Sequence, residues 1–231
     1  MQTIESYLTP TYYLNFNHPT VQEFVQTHTT DGASPLENTI QLYYAVRDEI
    51  RYNPYYFSME KDAFKASKVL ERKQDWCVPK SVVYAACCRA IGIPARLGFA
   101  DVRNHLSTER MRKQMKTDVF AWHGYVDVLL EGKWVKATPA FNKTLTDKFR
   151  LKSLEFDGKS DSIYHPFDLD GNQHMEYIKQ RGTYADLPLE EMLQSFAELY
   201  PYMKDETPTG DFDEDVEKEL KNFEEKKLRP I

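Results

Sequence analysis

Two residues of this chain could together carry out nucleophilic chemistry. Cys77 opens the apolar run Cys77-Val78-Pro79-Lys80-Ser81-Val82-Val83-Tyr84-Ala85-Ala86, and His123 begins His123-Gly124-Tyr125-Val126-Asp127-Val128. A thiol attacks as its thiolate, and a free pKa of about 8.5 leaves only a small fraction ionised at neutral pH. A neighbouring imidazolium and the positive end of a helix both lower that pKa. Cys77 has the helix by position. Pro79 stands where a first helical turn needs no N–H, while Gly92 and Pro94 stop the helix, so the sequence predicts a helix from Cys77 to Ile91 with Asp75 as a cap. The expectation is therefore a thiol activated by a helix N-terminus and paired with His123.

The other elements must bring that pair together. Ala95 to Val102 alternates as a strand. Phe120 to Leu130 and Lys133 to Ala137 form a hairpin around Glu131-Gly132, with His123 at its open end. Tyr125, Asp127 and Leu129 share one face of that hairpin. Before the cysteine, helices are expected over Val21 to Thr27, Leu36 to Arg51 and Ala63 to Arg72, with a short strand over Tyr12 to Asn17 and an aromatic loop over Tyr52 to Phe57. Between the strand and the hairpin, the polar stretch Arg103 to Asp118 carries a surface helix, Ser107 to Met115, capped by Ser107, and reads as an insertion near the site. Beyond the hairpin, Leu189 to Tyr202 has helical spacing. Lys204 to Ile231 is dominated by charge, the pattern of a solvated helix or a disordered tail, and is assigned no chemistry.

A cysteine at the head of an apolar helix that ends in Arg89-Ala90-Ile91-Gly92-Ile93-Pro94-Ala95-Arg96 resembles the transglutaminase-like branch of the papain-type fold. The same pattern continues in His123-Gly124-Tyr125-Val126-Asp127, in Glu131-Gly132 and in Trp134, so the resemblance spans Lys65 to Pro139. It implies an α+β, papain-like core in which the helix bearing the nucleophile packs on an antiparallel sheet. It also implies Cys77 as nucleophile and His123 as general base and acid. In that family an aspartate followed by proline supplies the third catalytic residue; here the dipeptide is Thr138-Pro139. A threonine hydroxyl can hydrogen-bond an imidazole but gives an imidazolium no counter-charge. Three candidates for the third role stay open: Thr138 by position, Asn142 by chemistry, and Asp127 by charge. Asp127 is the weakest, since four residues of strand separate it from His123 by ~13 Å. The oxyanion would be held by the Cys77 N–H, with Gln74 or the Trp76 indole as helpers. The activity implied is thiol-dependent acyl transfer, the hydrolysis or aminolysis of a peptide or protein amide. The alternative is a catalytically silent transglutaminase-like module that binds a peptide or protein.

The whole chain bounds these readings. Its 231 residues can bury one substantial core. We divide it into an N-terminal part of the core (1–62), the catalytic core (63–142), an extension packed on the core (143–203) and the charged tail (204–231). A net charge of −6 gives no reason to expect nucleic acid or an anionic membrane as partner. No secretory signal and no bilayer-length apolar run is present, which points to the cytoplasm. The three cysteines read as reduced thiols. They lack zinc spacing, and His165 and His174 are too far apart for a helical metal pair. Asp168-Leu169-Asp170-Gly171-Asn172 lacks the rest of a calcium loop. Neither metal nor cofactor is expected.

Overall fold

Caps and prolines in the sequence set where the helices begin. The computed structural model describes residues 3–58, 60–104, 107–164, 167–171, 173–201 and 210–228. His18 accepts the Thr20 N–H at the start of α1 (Pro19–Thr27). Ser34 and Glu37 form a reciprocal capping box at the start of α2 (Pro35–Glu49). A two-residue strand, β1 (Arg51–Tyr52), pairs in parallel with β2 (Gln74–Asp75), and α3 (Ala66–Arg72) lies between them. β2 then runs straight into α4 (Cys77–Ala90).

α4 is the axis of the core. Every residue from Cys77 to Arg89 is buried, because α1, α2 and α3 pack around it on one side and the sheet covers the other. A helix enclosed all round needs no polar stripe, and the apolar run after Cys77 has none to speak of. Lys80 is the exception: its ammonium is fully buried and donates to the carbonyls of Arg47 and Ile50 at the C-terminal end of α2. Those carbonyls lack intrahelical partners and carry the negative end of the α2 dipole. Gly92, at φ +78°, closes α4. The N–H groups of Gly92 and Ile93 donate to Arg89 and Cys88.

The sheet is antiparallel throughout, in the order β5-β4-β3-β6. Its strands are β3 (Ala95–Asn104), β4 (Val119–Leu130), β5 (Lys133–Ala137) and β6 (Met175–Tyr184), with α5 (Glu109–Met115) between β3 and β4. Three further helices are α6 (Lys143–Lys148), α7 (Leu189–Leu199) and α8 (Phe212–Leu228).

Four expectations need correction. Tyr12 to Asn17 forms no strand; Tyr13 and Leu14 are buried in an irregular segment, and Ala66 donates to the Tyr13 carbonyl. α5 is capped by the Thr108 hydroxyl rather than by Ser107. The extension after residue 142 is not merely packed on the core, since β6 is a strand of the main sheet. β6 was illegible as such because an edge strand has only one neighbour, and Glu176, Lys179, Gln180 and Arg181 break its apolar pattern. Finally, the charged tail is a helix that docks. Phe212 and Val216 are buried in a small cluster with Tyr55 and Leu145. Ion pairs join α8 to three other elements, through Arg51–Asp213, Arg110–Asp215 and Lys148–Glu217. No helix among the described residues is long and apolar enough to cross a membrane.

Candidate active site

The residue before α4, Trp76, is extended at φ −89° and ψ −177° and offers no side-chain cap. Asp75, expected as the cap, is instead held in a buried ion pair with Arg72 and accepts the Trp76 N–H at 3.0 Å. The first turn of α4 therefore keeps its free donors. Pro79 has no N–H and the Lys80 N–H bonds the Trp76 carbonyl, which leaves the N–H groups of Cys77 and Val78. Both act on the Cys77 sulfur, joined by the N–H of Gly124 from β4. These three donors favour a thiolate, as the sequence implied.

Burial outweighs them. Desolvation pushes the Cys77 thiol up to about 11, and the nearby Asp75 adds to the rise. The expectation of a depressed thiol pKa is thus reversed: in the closed cavity Cys77 is a neutral thiol. His123 behaves in the complementary way. Burial, with His174 as a second cause, lowers its pKa to about 4. No carboxylate contributes to its charge balance, so the resting pair is thiol and neutral imidazole rather than thiolate and imidazolium.

A bulge in β4 positions His123. Ala100 faces His123 across the ladder, but Val102 faces Phe120, so β4 carries an extra residue between them. Trp122 absorbs it at φ +62°, a left-handed conformation that costs a bulky residue of order 1–3 kcal/mol. The Asp101 carboxylate holds it there by accepting the Trp122 N–H at 3.1 Å while pairing with Arg181. Trp122 itself is fully buried, its ring 5.3 Å from Phe99 and beneath the Arg181 guanidinium. The sequence marked none of Trp122, Asp101 and Arg181, although bulges are common beside candidate sites such as His123. Around His123 stand the rings of Tyr164 at 5.6 Å and Tyr177 at 6.3 Å.

The other expected site residues separate into two groups. Trp76 lines the same cavity as Cys77 and His123, within an aromatic set that includes Phe57, Phe64 and Phe196. Thr138 is buried, and its hydroxyl has no hydrogen-bond partner, as is also true of His123 Nε2. The remaining three are committed elsewhere. Gln74 does not line the cavity, and its Oε1 accepts from Arg51 and Asn53. Asn142 begins α6, where its amide accepts the Tyr52 N–H at 3.1 Å and donates to the Thr144 hydroxyl. Asp127 is buried between Arg96 and Lys136, and Arg96 is its ladder partner, four positions along β3 from Ala100, the residue facing His123. Cys87 and Cys88 are buried thiols in the interior of α4. Asp170 is bound by Arg150 in two hydrogen bonds; His165 and Asn172 lie outside the described residues.

The cavity over Cys77 is built from segments the sequence left apart. The aromatic loop supplies Tyr52, Pro54 and Phe57, so it both packs and lines. α5 contributes Met111 and Met115, and α7 contributes Phe196. The polar insertion therefore does stand at the site, through its two methionines.

A papain-like α+β core, in which the cysteine-bearing helix packs against an antiparallel sheet carrying a histidine, defines the class. Residues 22–139 match the transglutaminase-like superfamily, and the chain belongs to it. The match starts well before Lys65, because α1 to α3 are part of the shell around α4. Among solved structures, a protein from Cytophaga hutchinsonii described as a "putative cysteine protease" is similar at 14% identity and a TM-score of 0.49, over 79% of this chain and 47% of that one. A "putative protease" from Parabacteroides distasonis is similar at 13% identity and a TM-score of 0.38, over 58% of this chain and 25% of that one. The chain thus spans about half the length of the first and a quarter of the second. No curated protein matches it.

Proposed function

We propose that the protein is a thiol-dependent acyl-transfer enzyme that attacks an amide or peptide bond with Cys77, with hydrolysis as its normal outcome. The observation that carries this reading is that Cys77, at the uncapped N-terminus of α4, and His123, from β4, line the same cavity, where the backbone N–H groups of Cys77, Val78 and Gly124 favour the thiolate. A buried structural cysteine has no need of such a set of donors.

With both groups neutral at rest, the thiol proton moves to His123 as the sulfur attacks the carbonyl carbon. The S–C bond forms, the carbonyl electron pair becomes an oxyanion, and the imidazolium is its counter-charge inside the cavity. The N–H groups at the head of α4 are the donors for that oxyanion, with Trp76 as the side chain beside them. Collapse breaks the C–N bond, and His123 returns the proton to the leaving amine. Water, activated by the same imidazole, then releases the acid and the thiol. Thr138 in place of a carboxylate leaves the imidazolium without a charged orienter, so the reaction is slow for its class rather than absent.

The test is mass spectrometry of the intact protein after incubation with a panel of N-acyl amino-acid esters and amides. An acyl adduct on Cys77, absent in Cys77→Ala and in His123→Ala, is the expected result. Absence of adduct and of amine release across the panel sinks the reading and favours the silent binding module.

A further inference from the structure

Charge is missing from the wall of this cavity. Almost a third of the chain is Asp, Glu, Lys or Arg, yet none of these is among the described residues that line the space over Cys77. α5 is the clearest case. Glu109, Arg110, Arg112 and Lys113 face away from the cavity, and only Met111 and Met115 border it. Phe57 and Phe196 also line the cavity, their rings 5.9 Å apart. The Tyr200 hydroxyl, another candidate polar group, is already used, since it donates to the Val119 carbonyl and accepts the Ala121 N–H.

We propose, resting on the acyl-transfer reading, that the acyl group loaded onto Cys77 carries an uncharged apolar side chain, aromatic or branched aliphatic, and that Phe57, Met111 and Met115 are the residues that select it. A charged side chain placed here would lose its water without gaining a counter-charge, which strongly disfavours it. An apolar one gains free energy in proportion to the surface it removes from water. Methionine walls adapt to side chains of different shape, so selection is for apolar character more than for one residue. The scissile bond is then a main-chain amide flanked by such a residue, not the side-chain amide of glutamine, which would bring a polar carboxamide through the methionine wall.

The experiment compares kcat/KM for aminomethylcoumarin amides of N-acetyl-phenylalanine, -leucine, -glutamate and -lysine, and amine release from a glutamine side chain, in the wild type and in Met111→Lys and Met115→Lys. In parallel, calorimetry measures binding of N-acetyl-phenylalanine amide and N-acetyl-glutamate amide to Cys77→Ala, and thermal unfolding checks each variant. The expected result is at least a ~100-fold preference for phenylalanine and leucine over glutamate and lysine, with either lysine variant shifting the glutamate-to-phenylalanine ratio by ~10-fold or more. Turnover that favours a charged acyl group or the glutamine side chain overturns the proposal and leaves the acyl-transfer reading intact. Phenylalanine amide bound by Cys77→Ala without turnover of any amide by the wild type preserves the ligand class and overturns the enzyme reading. Neither binding nor turnover overturns both.

Discussion

Gly124 lies tightly against Val78: a Cβ there would stand 3.1 Å from the Val78 Cα and 3.2 Å from the Ser81 Oγ, so that its neighbours would have to give by a few tenths of an ångström. The strand that carries the histidine and the helix that carries the cysteine therefore meet backbone against backbone. This close approach is what lets the Gly124 N–H reach the Cys77 sulfur. The glycine is needed here for space, not for an unusual φ.

Gly124→Ala should accordingly act on stability and chemistry at once. Forcing a methyl between β4 and α4 costs of order 1–3 kcal/mol by overpacking. It also withdraws one of the three donors from the sulfur and shifts the adjacent His123. We expect a lower denaturant midpoint together with a slower acylation of Cys77, read by adduct formation. A variant as fast as the wild type would show that the contact only packs.

How much of this was readable beforehand depends on whether the signal was local. The α4 boundaries and the β4–β5 hairpin follow from proline, glycine and alternation over a few residues, and the structure has both; Cys77 and His123, singled out in the same way, line one cavity. Features that depend on distant partners were not legible. β6 is recognisable only beside β3, and α8 only once Phe212 and Val216 meet Tyr55 and Leu145. The protonation states belong to this second kind. A helix N-terminus is visible in sequence, but the burial of the thiol that overrides it is a property of the assembled fold. Likewise Gln74 and Asn142 have suitable side chains, and only the fold reveals that Arg51, Asn53 and Tyr52 already use them.

The neutral state of His123 makes stability depend on acid. Its pKa is about 4 when folded against 6.5 for an unburied imidazole, so between those values the unfolded chain binds the extra proton. Stability is lost as pH falls from 6.5 towards 4, by at most about 3 kcal/mol for this group. Cys77 has the opposite sign: with its folded pKa raised to about 11 from 9.0, stability falls as pH rises through that window. Urea unfolding of the wild type and of His123→Asn at pH 4.5 and 7 checks the first. The variant should lose distinctly less stability on acidification; equal losses would place the acid sensitivity elsewhere.

α8 is joined to the core by several ion pairs, but their side chains are largely solvated. Glu217 is half exposed and its partner Lys148 a third exposed, and such pairs contribute little after screening and side-chain ordering. Phe212 is different, being buried with its ring 5.4 Å from Tyr55 and 5.9 Å from Tyr52. Phe212→Ala should cost of order 3 kcal/mol and detach α8, seen as lost hydrogen-exchange protection over Phe212 to Leu228. Glu217→Gln, or high salt, should leave that protection nearly unchanged. The reverse order of effects would make the helix an electrostatically held strap.

Thr138 offers the most direct check on why the resting pair is neutral. It stands where the resemblance implies an aspartate, and its buried hydroxyl and His123 Nε2 both lack hydrogen-bond partners. A carboxylate at that position would favour the imidazolium, raising the pKa of His123 from about 4, and the imidazolium would in turn lower that of Cys77 from about 11. Thr138→Asp is therefore expected to move the pH profile of iodoacetamide alkylation at Cys77 towards acid, by a unit or more on the scale of such pairings. Cys87 and Cys88, deep in α4, serve as internal references in the same peptide map. The shift should vanish in Thr138→Asp combined with His123→Ala, because the aspartate alone would raise the thiol pKa. A shift that survives loss of His123, or no shift with the fold intact, would mean that residue 138 does not act through the imidazole.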